Sequence, residues 1–189
     1  MTLKELLAVC DRISPFDERE SWDNGGLIIG DPSAQIGRIA VALEADRRAI
    51  DSLPLGAALI VHHPLIFAPI KSLDFSKYPA LLIRDLVLKD AALIAMHTNF
   101  DKHHLNRFVA QKVLGWREFT CEQFACFCEI KFSFEKIVEL VGAAFGGVKS
   151  IVEPERRKIY RVAFCSGSGG GMIGEIACDI LITGDLKYH

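Results

Sequence analysis

The sequence predicts an α/β protein of two lobes, with mostly parallel sheets carrying helices on their faces. Three observations carry this. Short unbroken apolar runs, Ala57–Val61 and Ala91–Met96, have the composition of strands buried on both faces. Helix-periodic segments alternate with such runs, as crossover connections require. Each of the two runs ends abruptly in histidine or carboxylate, His62-His63-Pro64 and His97-Thr98-Asn99-Phe100-Asp101. Open α/β sheets build their sites at the carboxyl edge of the strands in this way.

Taken in order, Thr2–Ile13 predicts an amphipathic helix. Thr2 and Glu5 form a capping box, Leu3, Leu6, Leu7 and Cys10 or Val9 one face, and Ser14-Pro15 the stop. Residues 21–32 place turn chemistry on both sides of the apolar Leu27-Ile28-Ile29. This stretch reads either as a hairpin-like loop with a packed Trp22 or as a loop bordering a site through Asp23 and Asn24. Ile36–Leu43 is β-like, and Asp46–Leu53 is a short helix. Leu59–Val61 is a strand, Tyr78–Lys89 a helix, and Leu93–Met96 a strand. Asp101 can cap a helix over His104–Leu114, which Gly115 stops.

Beyond Gly115 the texture changes, and a second lobe is expected over residues 116–189 after a first over 1–115. It holds a strand candidate over Phe119–Phe132, a helix over Ser133–Phe145 capped by Ser133 and ended by Gly146-Gly147, and a strand over Lys158–Cys165. A glycine-rich turn from Ser166 to Met172 leads to an expected helix near Ile173–Ala177, and Asp179–Thr183 is a last strand. A domain rarely stops just past a buried strand, so the sequence reads as lacking a covering helix after His189.

Length and composition narrow the function classes. A chain of 189 residues, half of them apolar, can bury a substantial core. With 22 basic against 24 acidic residues, scattered, it shows no electrostatic footprint for nucleic acid and no polybasic membrane patch. No stretch approaches a membrane span, and no signal-peptide pattern opens the chain. A cytoplasmic location with six reduced cysteines is therefore expected.

Imidazole with carboxylate is a ligand set that zinc, iron and manganese accept. His62 and His63 would face opposite ways in a regular strand, but the pleat is lost where the chain turns into Pro64, so both can reach one centre. With His97 and Asp101 at the neighbouring strand end, a metal site is expected from His62, His63, His97 and Asp101. Two alternatives stay open: structural histidines bonded to backbone, and Asp101 as a helix cap only. His103 and His104 read as surface or capping residues. Cys121, Cys126 and Cys128 lack CxxC spacing, which argues against a zinc–thiolate site. Gly167–Gly171 reads as a phosphate-cradling loop or as a tight turn with close backbone packing.

These motifs together resemble the Nif-three-like (Ngg-one-interacting-factor-three-like) family, catalogued as type two homologues of GTP cyclohydrolase I. The resemblance runs through Trp22-Asp23-Asn24-Gly25-Gly26-Leu27, His62-His63-Pro64-Leu65, His97-Thr98-Asn99-Phe100-Asp101, Ser166–Met172 and Thr183-Gly184-Asp185-Leu186-Lys187-Tyr188-His189. It implies a two-lobed fold, a dinuclear centre of divalent cations and a toroidal homohexamer. It also implies that His62, His63 and Asp101 are metal ligands, with His97 beside them. The family draws a further histidine and glutamate from a Gly-His-x-x-x-Glu-like segment that this sequence does not contain, and His189 matches a different motif position near the site.

A metal-dependent hydrolase acting on a nucleotide-like or phosphate-bearing small molecule is the first functional reading. The second is a non-catalytic metal-binding or protein-interaction scaffold. Asp23, Asn99 and Lys187 are the polar groups expected to separate the two if they converge beside the metals.

Overall fold

The computed structural model describes residues 1–149 and 158–186. Two compact units divide the chain, Met1–Phe100 and Asp101–His189.

The first unit opens with helix α1 (Leu3–Ile13), whose N-cap Thr2 accepts from the Glu5 amide while the Glu5 carboxylate accepts from the Thr2 amide, the reciprocal box read from the sequence. Four strands follow: β1 (Gly26–Ile29), β2 (Ile39–Ala42), β3 (Ala58–Val61) and β4 (Ala92–Ala95). They form one sheet in the order β1-β4-β3-β2. β2, β3 and β4 run parallel, and β1 joins antiparallel along β4. Helix α2 (Arg47–Asp51), capped by Asp46, and helix α3 (Ala80–Leu88) supply the crossovers that parallel strands need.

Alternation along β3 and β4 divides the core in two. Leu59, Val61, Leu93 and Ala95 pack with Ile50, Leu53, Leu82 and Leu86. Ala58, Ile60, Ala92 and Ile94 pack with Leu3, Leu6 and Cys10 of α1. Burial on both faces explains why these strands read as unbroken apolar runs.

A short helical turn, α4 (Thr98–Phe100), follows β4. Helix is thus already present at Thr98, so Asp101 does not cap a helix beginning near His104. It stands in the π-helical turn Asp101–Leu105, with His103 and His104 half-buried in the same turn. That turn continues through α5 (Asn106–Phe108) and a second π turn, Val109–Val113, and groups with the second unit rather than ending the first. Hydrogen bonds account for this grouping. Buried Asn106 donates to the Phe124 carbonyl at 2.9 Å and accepts from the Ser166 amide at 2.6 Å.

The second unit has a sheet in the order β5-β6-β7-β8, from β5 (Thr120–Glu122), β6 (Ala125–Ser133), β7 (Lys158–Cys165) and β8 (Ile180–Thr183). Only β7 and β8 pair in parallel; β5–β6 and β6–β7 are antiparallel, so this sheet departs from the mostly parallel expectation. The stretch expected as one strand over Phe119–Phe132 is a hairpin. Its turn lacks the usual glycine or asparagine, and Gln123 itself takes the left-handed conformation at φ 51°. The hairpin sets Cys121 opposite Cys126, and the two are joined in a disulfide, which corrects the expectation of six free thiols. Cys10, Cys128, Cys165 and Cys178 remain thiols. Helix α6 (Phe134–Phe145) starts at the Ser133 cap and ends at left-handed Gly146. Its Ile137 and Val141 cover Ile159, Val162, Ile180 and Ile182.

The helix expected over Ile173–Ala177 does not form. A 3₁₀ turn over Gly169–Met172 gives way to irregular chain, and Gly174 is left-handed at φ 84°. Without a helix behind it, the glycine run has no helix N-terminus to offer a phosphate. Close packing explains it instead. The Thr183 hydroxyl accepts from the Gly169 amide and donates to the Gly167 carbonyl, both at 2.8 Å. A Cβ on Gly169 would lie 2.8 Å from that hydroxyl oxygen and 3.1 Å from the Cys165 Cβ. Gly169→Ala is accordingly expected to destabilise the protein by about 1–3 kcal/mol, read as a lower denaturant midpoint.

Candidate metal centre

The site grows from the carboxyl ends of β2, β3 and β4. Where β3 ends, the amides of His62 and His63 both donate to the Leu43 carbonyl, each at 3.1 Å. Two successive amides turned toward one acceptor break the pleat that would have sent the side chains to opposite faces. The two imidazoles lie with centroids 4.8 Å apart. His97, beyond the end of β4, completes the group at 5.2 Å from His62 and 5.7 Å from His63. One ring nitrogen from each histidine lies within 4.8 Å of the other two.

Each ring is held through Nδ1. His62 Nδ1 lies 2.9 Å from the Met96 carbonyl oxygen. His97 Nδ1 lies 2.8 Å from Asp23 Oδ1, and His63 Nδ1 lies 3.2 Å from Glu44 Oε1. A carbonyl cannot donate and an ionised carboxylate only accepts, so in the neutral ring each of these bonds places the proton on Nδ1. The lone pair is thereby left on Nε2. Three imidazoles presenting Nε2 form a donor set that suits a divalent cation with coordination positions to spare.

Asp23 anchors this arrangement. Its side chain is fully buried and accepts from His97, from the Thr98 amide at 3.1 Å and from the Thr98 hydroxyl at 2.5 Å. Burial alone would push its carboxyl pKa up, but the bonds from His97 and Thr98 outweigh that and hold it below the usual carboxylate value. Glu20, whose amide donates to the Thr98 hydroxyl at 3.0 Å, closes the loop on itself. Gly26, at φ +101°, lets the chain leave Asp23 and enter β1. Of the two readings of residues 21–32, the structure supports the bordering loop. Trp22 is 58% exposed rather than packed away, with its ring 5.9 Å from Phe67 and 6.2 Å from His97. Asn24 ties the loop to the segment after His63 by donating to the Ile66 carbonyl at 2.6 Å.

The other expected polar groups behave differently. Asn99 is buried and donates to the Ser14 carbonyl at 2.7 Å, so it pins the end of α1 and does not face a reactant. Lys187 and His189 lie outside the described residues. Asp101 opens the second unit, where its Oδ1 accepts from the Ser166 hydroxyl at 3.2 Å. Cys165, next to Ser166, has its thiol pKa pushed up to about 11 by burial and by the Asp101 charge, so it offers no thiolate nucleophile near neutral pH.

Beside the histidines lies a cavity of about 580 Å³ whose walls include Glu44, Arg47, His63, Phe67, Tyr78 and His97. Arg47 reaches it already paired with Asp85. Glu44 was not singled out from the sequence, although the same signal marks it: it is the charged residue that directly follows the apolar run of β2.

Comparison with known proteins agrees with this architecture. A family model described as Duf34/NIF3 (NGG1p interacting factor 3) matches residues 1–189. This chain belongs to the NIF3 family. Among relatives, a protein of Campylobacter jejuni named "GTP cyclohydrolase 1 type 2 homolog" is 34% identical over 100% of this chain and 79% of its own length. A Helicobacter pylori protein named "GTP cyclohydrolase 1 type 2" is 36% identical over 99% of this chain and 78% of its own. Among solved structures, Staphylococcus aureus protein SA1388 superposes with a TM-score of 0.81 at 25% identity, covering 100% of this chain and 81% of that one. A Bacillus cereus protein related to NIF3 shares the fold, with a TM-score of 0.80 at 17% identity, covering 100% of this chain and 84% of that one. The NIF3 fold is therefore that of this chain. Among the described residues, no helix is long and apolar enough to cross a membrane.

Proposed function

We propose that this NIF3 protein binds divalent cations through His62, His63 and His97, with Asp101 as a further ligand, and is a metal-dependent hydrolase of nucleotide-like or phosphate-bearing small molecules. The observation that carries the proposal is the gathering of one ring nitrogen from each of His62, His63 and His97 within 4.8 Å of the others, with Nδ1 of all three rings engaged by an acceptor. Histidines serving only as hydrogen-bonded core groups have no reason to be matched in tautomer and gathered together. When bound, divalent cations supply Lewis-acid activation of water and of a phosphoryl or ring carbon–nitrogen bond.

The chain's own residues supply the setting. Asp23 and the Met96 carbonyl orient the two inner imidazoles, while Phe67 and Tyr78 give the adjoining cavity aromatic walls on which a flat ring can lie. The names of the Campylobacter and Helicobacter relatives, GTP cyclohydrolase 1 type 2 homolog and GTP cyclohydrolase 1 type 2, support a nucleotide-like substrate. Two cations per chain and a toroidal homohexamer belong to the same proposal.

A second reading, a scaffold without catalysis, draws on the segment between His63 and α3. This segment is irregular and exposes Phe67, Ile70, Leu73, Phe75 and Tyr78. So many exposed apolar groups on one connection suit a surface that another protein chain covers.

Elemental analysis of purified, desalted protein tests the first reading. At least about one equivalent of divalent metal per chain is expected, and a protein that retains none after incubation with zinc, manganese or ferrous iron overturns it. Metal retained without turnover in a screen of nucleotides and phosphate esters would leave the scaffold.

A further inference from the structure

We propose that Glu44 is a positioning residue of the histidine cluster: its carboxylate accepts the Nδ1 proton of His63 and so sets Nε2 as the nitrogen that ring offers to a cation. This rests on the reading of the cluster as a metal centre.

The three acceptors behind the rings are of different kinds. The Met96 carbonyl is part of the backbone, held by the bond from the Met96 amide to the Val61 carbonyl at 2.8 Å, and no side-chain change can remove it. Asp23 is fully buried and serves three donors at once. Glu44 is the accessible one, its side chain 63% exposed against 48% for His63. Its place follows from the backbone. The Leu43 carbonyl binds the amides of both His62 and His63, so the residue after Leu43 emerges beside His63 whatever its side chain is. A carboxylate there is short enough to reach Nδ1 and long enough to stay in the wall of the cavity.

Without Glu44, His63 alone of the three would have no fixed tautomer. In water an imidazole favours the Nε2–H form modestly, which places the proton on the nitrogen a cation needs. A carboxylate partner reverses that choice and makes the ring a stronger donor. Glu44 acts through His63 and need not touch the cation.

Zinc affinity and the His63 tautomer, measured separately, test this. Zinc alone is titrated by competition with a chromophoric chelator into the native chain and into Glu44→Ala, Glu44→Gln and Glu44→Asp. The tautomer is read from side-chain ¹H–¹⁵N correlations of metal-free protein at about pH 8.5, above the ordinary imidazole range. Glu44→Ala is expected to weaken zinc binding by about 10–100-fold and to move His63 toward the Nε2–H form, with an unchanged melting temperature. Glu44→Gln, which keeps an acceptor oxygen but not the charge, is expected to retain the tautomer and lose less affinity.

Native affinity and native tautomer in Glu44→Ala would overturn the proposal. Lost affinity with an unchanged tautomer would overturn it too, and would make Glu44 a ligand. If the native chain binds no zinc, the metal reading fails by itself, and the tautomer of metal-free Glu44→Ala still decides what Glu44 does to His63.

Discussion

The double variant His62→Ala/His63→Ala is expected to lose at least about 100-fold in affinity for zinc or manganese while keeping its fold. That floor is the upper end of what losing a supporting hydrogen bond costs, and here two donors themselves are removed. Both rings project from the end of β3 after its ladder with β2 and β4 is complete, so the variant leaves the parallel pairing intact. His63 is exposed and His62 half-buried, so neither deletion opens a core cavity. Isothermal titration with each metal, beside a circular dichroism melt, separates the two quantities. Native affinity in the double variant would remove the centre from these residues, and a collapsed melt would make them structural.

Asp23→Ala is expected to act chiefly on stability. Truncation leaves three donors without their acceptor: the buried amide and hydroxyl of Thr98 and the half-buried His97 Nδ1–H. Each buried donor left unsatisfied costs about 1–3 kcal/mol, and near 190 residues a loss of a few kcal/mol lowers the melting temperature by about 10 °C. Asp23→Asn, which keeps an acceptor oxygen, is expected to lose less. The effect depends on pH in a defined sense. Folding holds the Asp23 carboxyl below its ordinary value of about 3.9, so its contribution is complete above that value and is lost as the pH falls through the lower, folded one. In metal-free protein the native and Asp23→Ala melting temperatures should converge in that acid range and stand fully apart above about pH 5. A constant gap across the range would mean that Asp23 contributes by packing and not by charge.

Much of the first unit was legible because local and tertiary signals coincide there. The Thr2–Glu5 box, the Asp46 cap and the unbroken apolarity of β3 and β4 each state an element and its burial at once. The histidines were legible as a candidate site for a related reason, since imidazoles clustered at the ends of fully buried strands have no evident packing role there. The hairpin of the second unit was not. Its turn residues, Gln123-Phe124, carry no turn signal, and the left-handed backbone at Gln123 is sustained by the flanking register and the Cys121–Cys126 bridge. Asp23 was half legible: Asn24-Gly25 announced a turn, but nothing local says that the residue before it turns inward to a histidine 74 positions later. Asp101 misled as a cap because helix had already begun at Thr98.

The shared Leu43 carbonyl has a consequence for how such a centre can diversify. Because one backbone oxygen orients both His62 and His63, the two rings are inherited as a couple, and a substitution at either cannot adjust its angle independently of its neighbour. If the cluster holds a cation as proposed, selection for a different one would find more room in the groups behind the rings, Glu44 above all, than in the rings themselves. Proteins with this doublet should therefore differ from one another first at the residue after Leu43.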